Sequence, residues 1–212
     1  MSASKGIRGD MTVGSPMRLI LAFSIPLLLG NVLQQMYNMV DSIVVGNYVG
    51  TTALAAVGTG APIIYMMVAL FMGIGNGAAV IISQYFGAGN LKKVSETVDT
   101  IYPTAMIGAL PVTLLGIIFS GPLLRLINTP DNAFSDARLY MVIIFIGTIF
   151  SLGYNLNSAI MQSLGDSRTP LLLLAIACVL NVVLDLWFVI SFHWGVAGVA
   201  IATILAQAIS WI

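Results

Sequence analysis

Charge is what this sequence has least of. Lys, Arg, Asp and Glu make up 8% of 212 residues, eight basic against eight acidic, where an ordinary soluble domain carries about 25%. A water-facing surface cannot be built from so few, which excludes a soluble enzyme, a nucleic-acid binder and a disordered chain. The even balance of signs leaves no field to gather nucleic acid, anionic lipid or acidic substrates. Cysteine is nearly absent as well. Cys178, alone in an apolar run, rules out a disulfide framework and a thiolate metal cluster. What the chain has is apolar residues, 58% of the total, with a mean hydropathy of +1.00. It is an integral membrane protein.

Runs free of charge cover residues 19–40, 42–91, 100–124, 139–165, 169–184 and 186–212. A spanning helix needs about 20 apolar residues, and spanning strands would show alternation over roughly ten-residue segments, which the runs lack. The expected fold is therefore an all-α polytopic bundle of six transmembrane helices, over 17–46, 53–83, 94–120, 135–163, 170–191 and 196–212, preceded by a cytoplasmic N-terminal segment, 1–16. The connections carry turn chemistry: Gly46-Asn47-Tyr48-Val49-Gly50, Phe86 to Asn90, Asn128 to Asn132, and Gly165 to Pro170. Pro26, Pro62, Pro103 and Pro111 fall inside helices. An interior proline frees a carbonyl and kinks the helix, so Pro26 marks either an irregular bundle or a bending point.

The basic residues set the orientation. With the N-terminus cytoplasmic, Lys5, Arg8, Arg18, Lys92, Lys93 and Arg168 lie inside, and Arg125 and Arg138 outside. The first sixteen residues carry no cleavable-signal pattern. Helix 6 is still apolar at Trp211-Ile212, which reads as a chain cut within that helix. A weak internal repeat runs at an offset of 144 residues: Pro26-Leu27-Leu28-Leu29 with Asp41 against Pro170-Leu171-Leu172-Leu173 with Asp185. Both copies run from inside to outside, a parallel relation.

Asp41 and Asp185 stand inside spans. A carboxylate at a helix centre costs roughly 2.5–3.5 kcal/mol to insert and so faces a cavity or partner. Each lies on a polar stripe: Asn31, Gln34, Asn38 and Asp41 recur at three and four residues, and Asn181 and Asp185 are four apart. Counting helical rise from the outer ends puts Asp41, Tyr140, Asp185 and Thr203 at one level, roughly 7–11 Å below the surface. Asn155, Asn157 and Gln162 come out nearer the cytoplasmic end. Two carboxylates in a low-dielectric bundle repel when both are ionised; a shared proton, or a Na⁺ with amide and hydroxyl oxygens, relieves that. The competing reading is a satisfied hydrogen-bond network that only holds the bundle together. Enzyme signatures are missing. Asp41 follows Val40 and Asp185 follows Leu184, unlike the Tyr-Asp and Gly-x-Gly-Asp segments of aspartyl intramembrane proteases, and His193 sits in an outer turn. Gly73-Ile74-Gly75-Asn76-Gly77 lacks the strand and lysine of a phosphate loop, and its small residues suit close helix packing.

Several segments together resemble one known family, the multidrug and toxic compound extrusion (MATE) transporters. Pro26 through Asp41 is similar to the family's first helix. Gly73 to Gly77 leading to Ser83-Gln84-Tyr85-Phe86-Gly87-Ala88-Gly89-Asn90 resembles the end of its second helix and the loop beyond. Gln162 through Pro170, then Asn181-Val182-Val183-Leu184-Asp185, looks like the entry to its fifth, and Gly195 through Thr203 like its sixth. The likeness runs from about residue 14 to residue 212 and implies the N-terminal lobe of a twelve-helix transporter, with the C-terminal lobe absent. It also implies export of cationic or amphiphilic organic compounds driven by inward H⁺ or Na⁺, a transported ion rather than a cofactor. Carried over by position, Asp41 is the coupling carboxylate, Asp185 and Asn181 are its helix-5 partners, and Tyr140 and Thr203 complete the network. Any Na⁺ at Asp41 and Asp185 is transient, with no other metal implied. Pro26 is the helix-1 bend, and Gln34, Asn38, Asn155 and Asn157 line the substrate cleft. The implied partners are an organic small molecule, the bilayer of the plasma membrane and the second lobe, with no nucleic acid. The alternatives are a lipid-linked oligosaccharide or polysaccharide flippase of the same superfamily, which lines its cleft with basic residues that these spans lack except at their ends, and a non-transporting or half-size scaffold.

Overall fold

A computed structural model describes residues 15–211. The helices are α1 (Pro16–Val44), α2 (Thr51–Gly87), α3 (Leu91–Leu126), α4 (Asp131–Ile146), α5 (Thr148–Ser163), α6 (Arg168–Leu186) and α7 (Gly195–Trp211), with no strand among the described residues. Inside a bilayer a helix satisfies its own backbone polar groups, which is why apolar runs of this length take that form. Four stretches are long and apolar enough to cross a membrane: 16–49, 51–87, 91–126 and 168–191. Taken together as one bent span, α4 and α5 are long and apolar enough for a fifth, and α7 is a shorter apolar helix of 17 residues.

The expected fourth helix, 135–163, is not continuous. It breaks at Gly147, where α4 and α5 meet at a bend of 53°. No proline marks the place; Ile204 of α7 lies against Gly147 and occupies the room a side chain there would need. The expected turn over 46–50 is also corrected. After α1 the chain continues as a π-helical turn, Val45–Val49, and reverses only at Gly50, whose φ of +117° suits glycine. A second π turn, Trp187–Ser191, follows α6. The helix ends otherwise run past the expected bounds by up to six residues, as in α3, which reaches Leu126. Of the expected N-terminal segment, positions 1–14 lie outside the described residues, Lys5 and Arg8 among them, and Pro16 already opens α1.

Small residues set the packing. Ala53, Ala56 and Gly60 of α2, Ala105 and Ala109 of α3, Ala133 and Ala137 of α4, and Ala200 of α7 are buried at helix contacts, and such residues let backbones approach where lipid supplies no hydrophobic drive. Larger side chains fill what remains, with Phe71, Met141, Leu152 and Leu156 all but fully enclosed. Gly75 of the glycine-rich segment lies 3.3 Å, measured from the position of an added Cβ, from Ala159 of α5, while Gly73 and Gly77 line a groove of about 600 Å³ between α2 and α3. At the end of the bundle distant from Pro16, Trp187, Phe188, Phe192 and Trp194 gather with ring centroids 5.2–6.2 Å apart, the place and kind of residues of an interfacial aromatic belt. At the opposite end Asn90 caps α3 by accepting from the Lys93 N–H at 3.1 Å, and Asp166 caps α6, its Oδ1 accepting from the Arg168 and Thr169 N–H groups at 3.0 Å each. Burial works to raise the Asp166 pKa, but the Thr169 hydroxyl, these N–H groups and the Arg168 charge outweigh it and hold it below the usual carboxylate range.

Candidate functional site

α1 lies at the edge of the bundle and packs chiefly against α6. Its polar stripe faces several ways as a result. Asn31 and Asn38 are exposed and Gln34 is half-buried, with Gln34 Nε2 donating to Asn38 Oδ1 at 3.5 Å, the limit of a hydrogen bond. One turn further on, Asp41 is buried.

The partner helix is more enclosed. Asn181 and Asp185 of α6 have no exposed surface. The Asn181 amide fits between two groups when its nitrogen faces the carboxylate: it then donates to Asp185 Oδ2 at 2.9 Å and accepts from the Thr203 N–H at 3.2 Å. The Thr203 hydroxyl donates to the Val199 carbonyl at 3.1 Å and lies 3.5 Å from the Tyr37 hydroxyl, which points to it from α1. Tyr140 of α4 is buried beside this group, with its ring against Gly60.

The buried carboxyls of Asp41 and Asp185 neighbour one another across the α1–α6 contact. On each, Oδ1 is buried without a protein partner. An unmatched buried polar atom costs about 1–3 kcal/mol, and here two such oxygens belong to carboxyls that repel when both are ionised. The arrangement is suited to holding a positive species. One proton bridging the pair removes the repulsion, and a monovalent cation takes the two carboxylates with amide and hydroxyl oxygens as neutral ligands. No cluster of three or more His, Cys, Asp or Glu occurs among the described residues.

α1, α4, α6 and α7 thus bring together Asp41, Tyr140, Asn181, Asp185 and Thr203. Tyr37 belongs with them and was not singled out from the sequence, although it stands four residues before Asp41 on the same face. The other residues lie elsewhere. Asn155 turns back on its own helix, donating to the Ser151 carbonyl at 2.7 Å. Asn157 donates to the Trp211 carbonyl at 3.0 Å and accepts from the Tyr102 hydroxyl, while the Trp211 indole donates to Tyr102 at 3.1 Å. Pro26 is half-buried in α1, four turns from Asp41. Both aspartates share one further feature: a π turn begins four residues after Asp41 and two after Asp185, and the two π turns touch. π turns are rare and recur at functional sites.

A bundle of apolar helices enclosing paired carboxyls defines a multi-pass membrane protein with a buried polar centre. The MatE family profile matches residues 26–187, and the chain belongs to that family. It is 35% identical over 203 residues to the probable multidrug resistance protein YpnP of Bacillus subtilis (strain 168), covering 96% of this chain and 46% of that one. With the probable multidrug resistance protein YoeA of the same organism it shares 30% over 188 residues, covering 87% and 41%. Among solved structures, the outward-facing conformation of a multidrug resistance MATE family transporter of the MOP superfamily superposes with a TM-score of 0.90 at 27% identity, covering 98% of this chain and 46% of that one. The chain therefore spans about half the length of the relatives it matches.

Proposed function

We propose that the chain is the N-terminal lobe of a cation-coupled antiporter that exports organic, often cationic, compounds across the plasma membrane by alternating access. The observation behind this reading is the facing pair Asp41 and Asp185, each with a buried oxygen that no protein group satisfies. The family supports it, since the matched relatives carry the name of multidrug resistance proteins. In this reading the N-terminus is cytoplasmic, and a second lobe completes the transporter and faces the exposed polar stripe of α1.

The two carboxyls stand on helices held differently within the lobe: α6 packs on α1, α5 and α7, and α1 chiefly on α6. Empty and ionised, they repel, and α1 is the helix free to yield. Pro26 has no N–H, so the Ala22 carbonyl lacks its helical partner and α1 bends there at low cost. A proton or Na⁺ cancels the repulsion and draws α1 onto α6, with Asn181, Thr203, Tyr37 and Tyr140 fixing the geometry. Gln34 and Asn38 of α1 line the substrate cleft, while the amides of Asn155 and Asn157 are engaged within the lobe. A ligand shifts a conformational equilibrium only through its different affinity for the two states, so substrate and cation are antagonists: loading one lowers affinity for the other. No observation favours the flippase, which needs basic residues within the spans.

Ethidium efflux from pump-deficient cells expressing the full gene product tests this, with ΔpH and Na⁺ gradients varied separately. Wild type is expected to extrude dye on one gradient and Asp41→Asn on neither. Equal efflux by both would remove Asp41 from the mechanism. Silence of the wild type under every gradient would turn the reading toward the flippase.

A further inference from the structure

The groove of about 600 Å³ between α2 and α3 lies toward the end of the bundle where α1 begins. It reaches from Tyr85 to Gly73 on α2 and from Lys93 to Thr104 on α3, a length that helical rise puts at about 17 Å. That is the depth of one leaflet: half of a hydrocarbon core of about 30 Å, with a little of the headgroup layer. Glycine opens the groove. A Cβ at Gly73 or Gly77 would meet no atom within 4 Å, and both glycines are exposed. α3 packs on α2, α4 and α5, whereas α1, whose polar stripe is turned to the proposed second lobe, packs chiefly on α6. The groove is thus set apart from that stripe.

The chemistry of the walls changes along this length. Ile74, Ala78 and Ile101 are apolar, and the hydroxyls beside them are already used. Thr97, Thr100 and Thr104 donate to the carbonyls of Lys93, Glu96 and Thr100 at 2.8, 2.7 and 2.7 Å, so none keeps a proton for a polar solute. Charge stands only at the mouth. Lys93 lies 3.3 Å from Glu96, and Lys92 reaches the same carboxylate at 3.9 Å. Two ammonium groups share one carboxylate, which leaves one positive charge in excess. Asp99, three residues further on, accepts from the Ser95 hydroxyl at 3.3 Å and does not line the groove. A cationic mouth over an apolar trough one leaflet deep fits a molecule with an anionic head and a hydrocarbon tail. We infer that the α2–α3 groove binds one anionic phospholipid, its phosphate at Lys92 and Lys93 and one acyl chain along Gly77 and Gly73. The orientation proposed above makes this a lipid of the cytoplasmic leaflet; the fit of groove to lipid does not depend on it.

Native mass spectrometry of the full gene product in mild detergent tests this, with palmitoyl-oleoyl phosphatidylglycerol as the probe and phosphatidylcholine of the same chains as its control. Wild type is expected to hold one phosphatidylglycerol, bound about fivefold more tightly than phosphatidylcholine. Gly77→Leu fills the trough and should weaken both lipids on the order of tenfold, while the melting temperature of the lipid-free protein holds, since the added side chain enters open space. Lys93→Gln stands at an exposed position and covers the case in which Gly77→Leu fails to fold. It should weaken phosphatidylglycerol about fivefold, the worth of one basic residue at a membrane surface, and leave phosphatidylcholine unchanged. Glu96→Gln removes the competing carboxylate and should tighten phosphatidylglycerol. A wild type with no preference between the lipids overturns the site, as does Gly77→Leu binding like wild type or Lys93→Gln keeping the full preference. The measurement reads binding without transport. Asp41→Asn should therefore hold the lipid as wild type does, even though it is expected to stop efflux, so either reading can fail without the other.

Discussion

α1 and α6 carry the same short pattern, Pro-Leu-Leu-Leu followed at the same distance by an aspartate, yet they live in different surroundings. A third of the apolar stretch of α6 is buried inside the lobe, 33%, against 6% for α1. α6 packs on α1, α5 and α7, and Asp185 is enclosed with Asn181 bonded to it. α1 presents Leu28, Val32, Met36 and Met39 to its surroundings. One pattern thus packs against three helices of the lobe in one place and chiefly against one in the other. The periodicity encodes the depth of a carboxylate; the neighbours decide whether its helix is anchored.

That contrast can be broken or sharpened in steps. The largest effect is expected from the aspartates themselves. Asp41→Asn and Asp185→Asn should each abolish cation-driven efflux, but Asp185→Ala should also lower thermal stability, by about 1–3 kcal/mol, because Asn181 is left unsatisfied in a closed site. Asp41→Ala should leave the melting temperature nearly unchanged; an equal loss from both would mean that α1 is anchored as firmly as α6. Next come Gly147→Ala and Gly153→Ala, whose new methyl groups would overlap Ile204 and Trp211. Overpacking of this kind costs about 1–3 kcal/mol, read as a lower melting temperature in detergent. Asp166→Ala at the start of α6 should cost about 1 kcal/mol through the lost cap. Because the Asp166 pKa is depressed in the folded protein, that stabilisation is complete above the unfolded carboxyl value of about 4 and is lost as pH falls through the lower folded value. A pH titration of melting temperature should show wild type and Asp166→Ala converging in acid. The smallest effect belongs to Gly30→Ala on α1. A Cβ there would sit 3.8 Å from Leu171 and 3.9 Å from Leu174, ordinary contact, so stability should stay within about 0.5 kcal/mol. A large loss would show the α1–α6 contact to be tight.

The spans were legible because bilayer thickness demands them, and charge-free runs can be counted. Their ends were less so. Lys92, Lys93 and Glu96 lie within α3 and pair along its exposed first turns, Lys93 to Glu96 at 3.3 Å, where solvent tolerates charge that the run-counting excluded. The break at Gly147 left no local mark, since it depends on Ile204 arriving from a helix 57 positions later in the chain. The level shared by Asp41, Tyr140, Asp185 and Thr203 followed from helical rise alone. Tyr37 could have been found by extending the Asp41 stripe back one turn, had an aromatic ring been counted as polar for its hydroxyl. Asn157 could not: helical rise gives its height but not the Tyr102 and Trp211 side chains that occupy its amide. Ser151 and Gln207 were equally hidden, because a serine and a glutamine on separate helices become a pair only through the parallel packing of α5 and α7.

The bend between α4 and α5 has an electrostatic meaning of its own. Each helix carries a macrodipole equivalent to about half an elementary charge at either end, negative where its carbonyls emerge. A continuous span would place those ends at the two membrane surfaces, in water. Broken at Gly147, the span sets the negative terminus of α4 and the positive terminus of α5 side by side within the bundle. The Gly147 carbonyl accepts from the N–H groups of Phe150 and Ser151 at 3.0 and 3.3 Å, next to the Ser151 hydroxyl that meets Gln207. The lobe therefore holds a fixed dipolar junction away from the screening of bulk water, made of backbone that no change of pH can discharge.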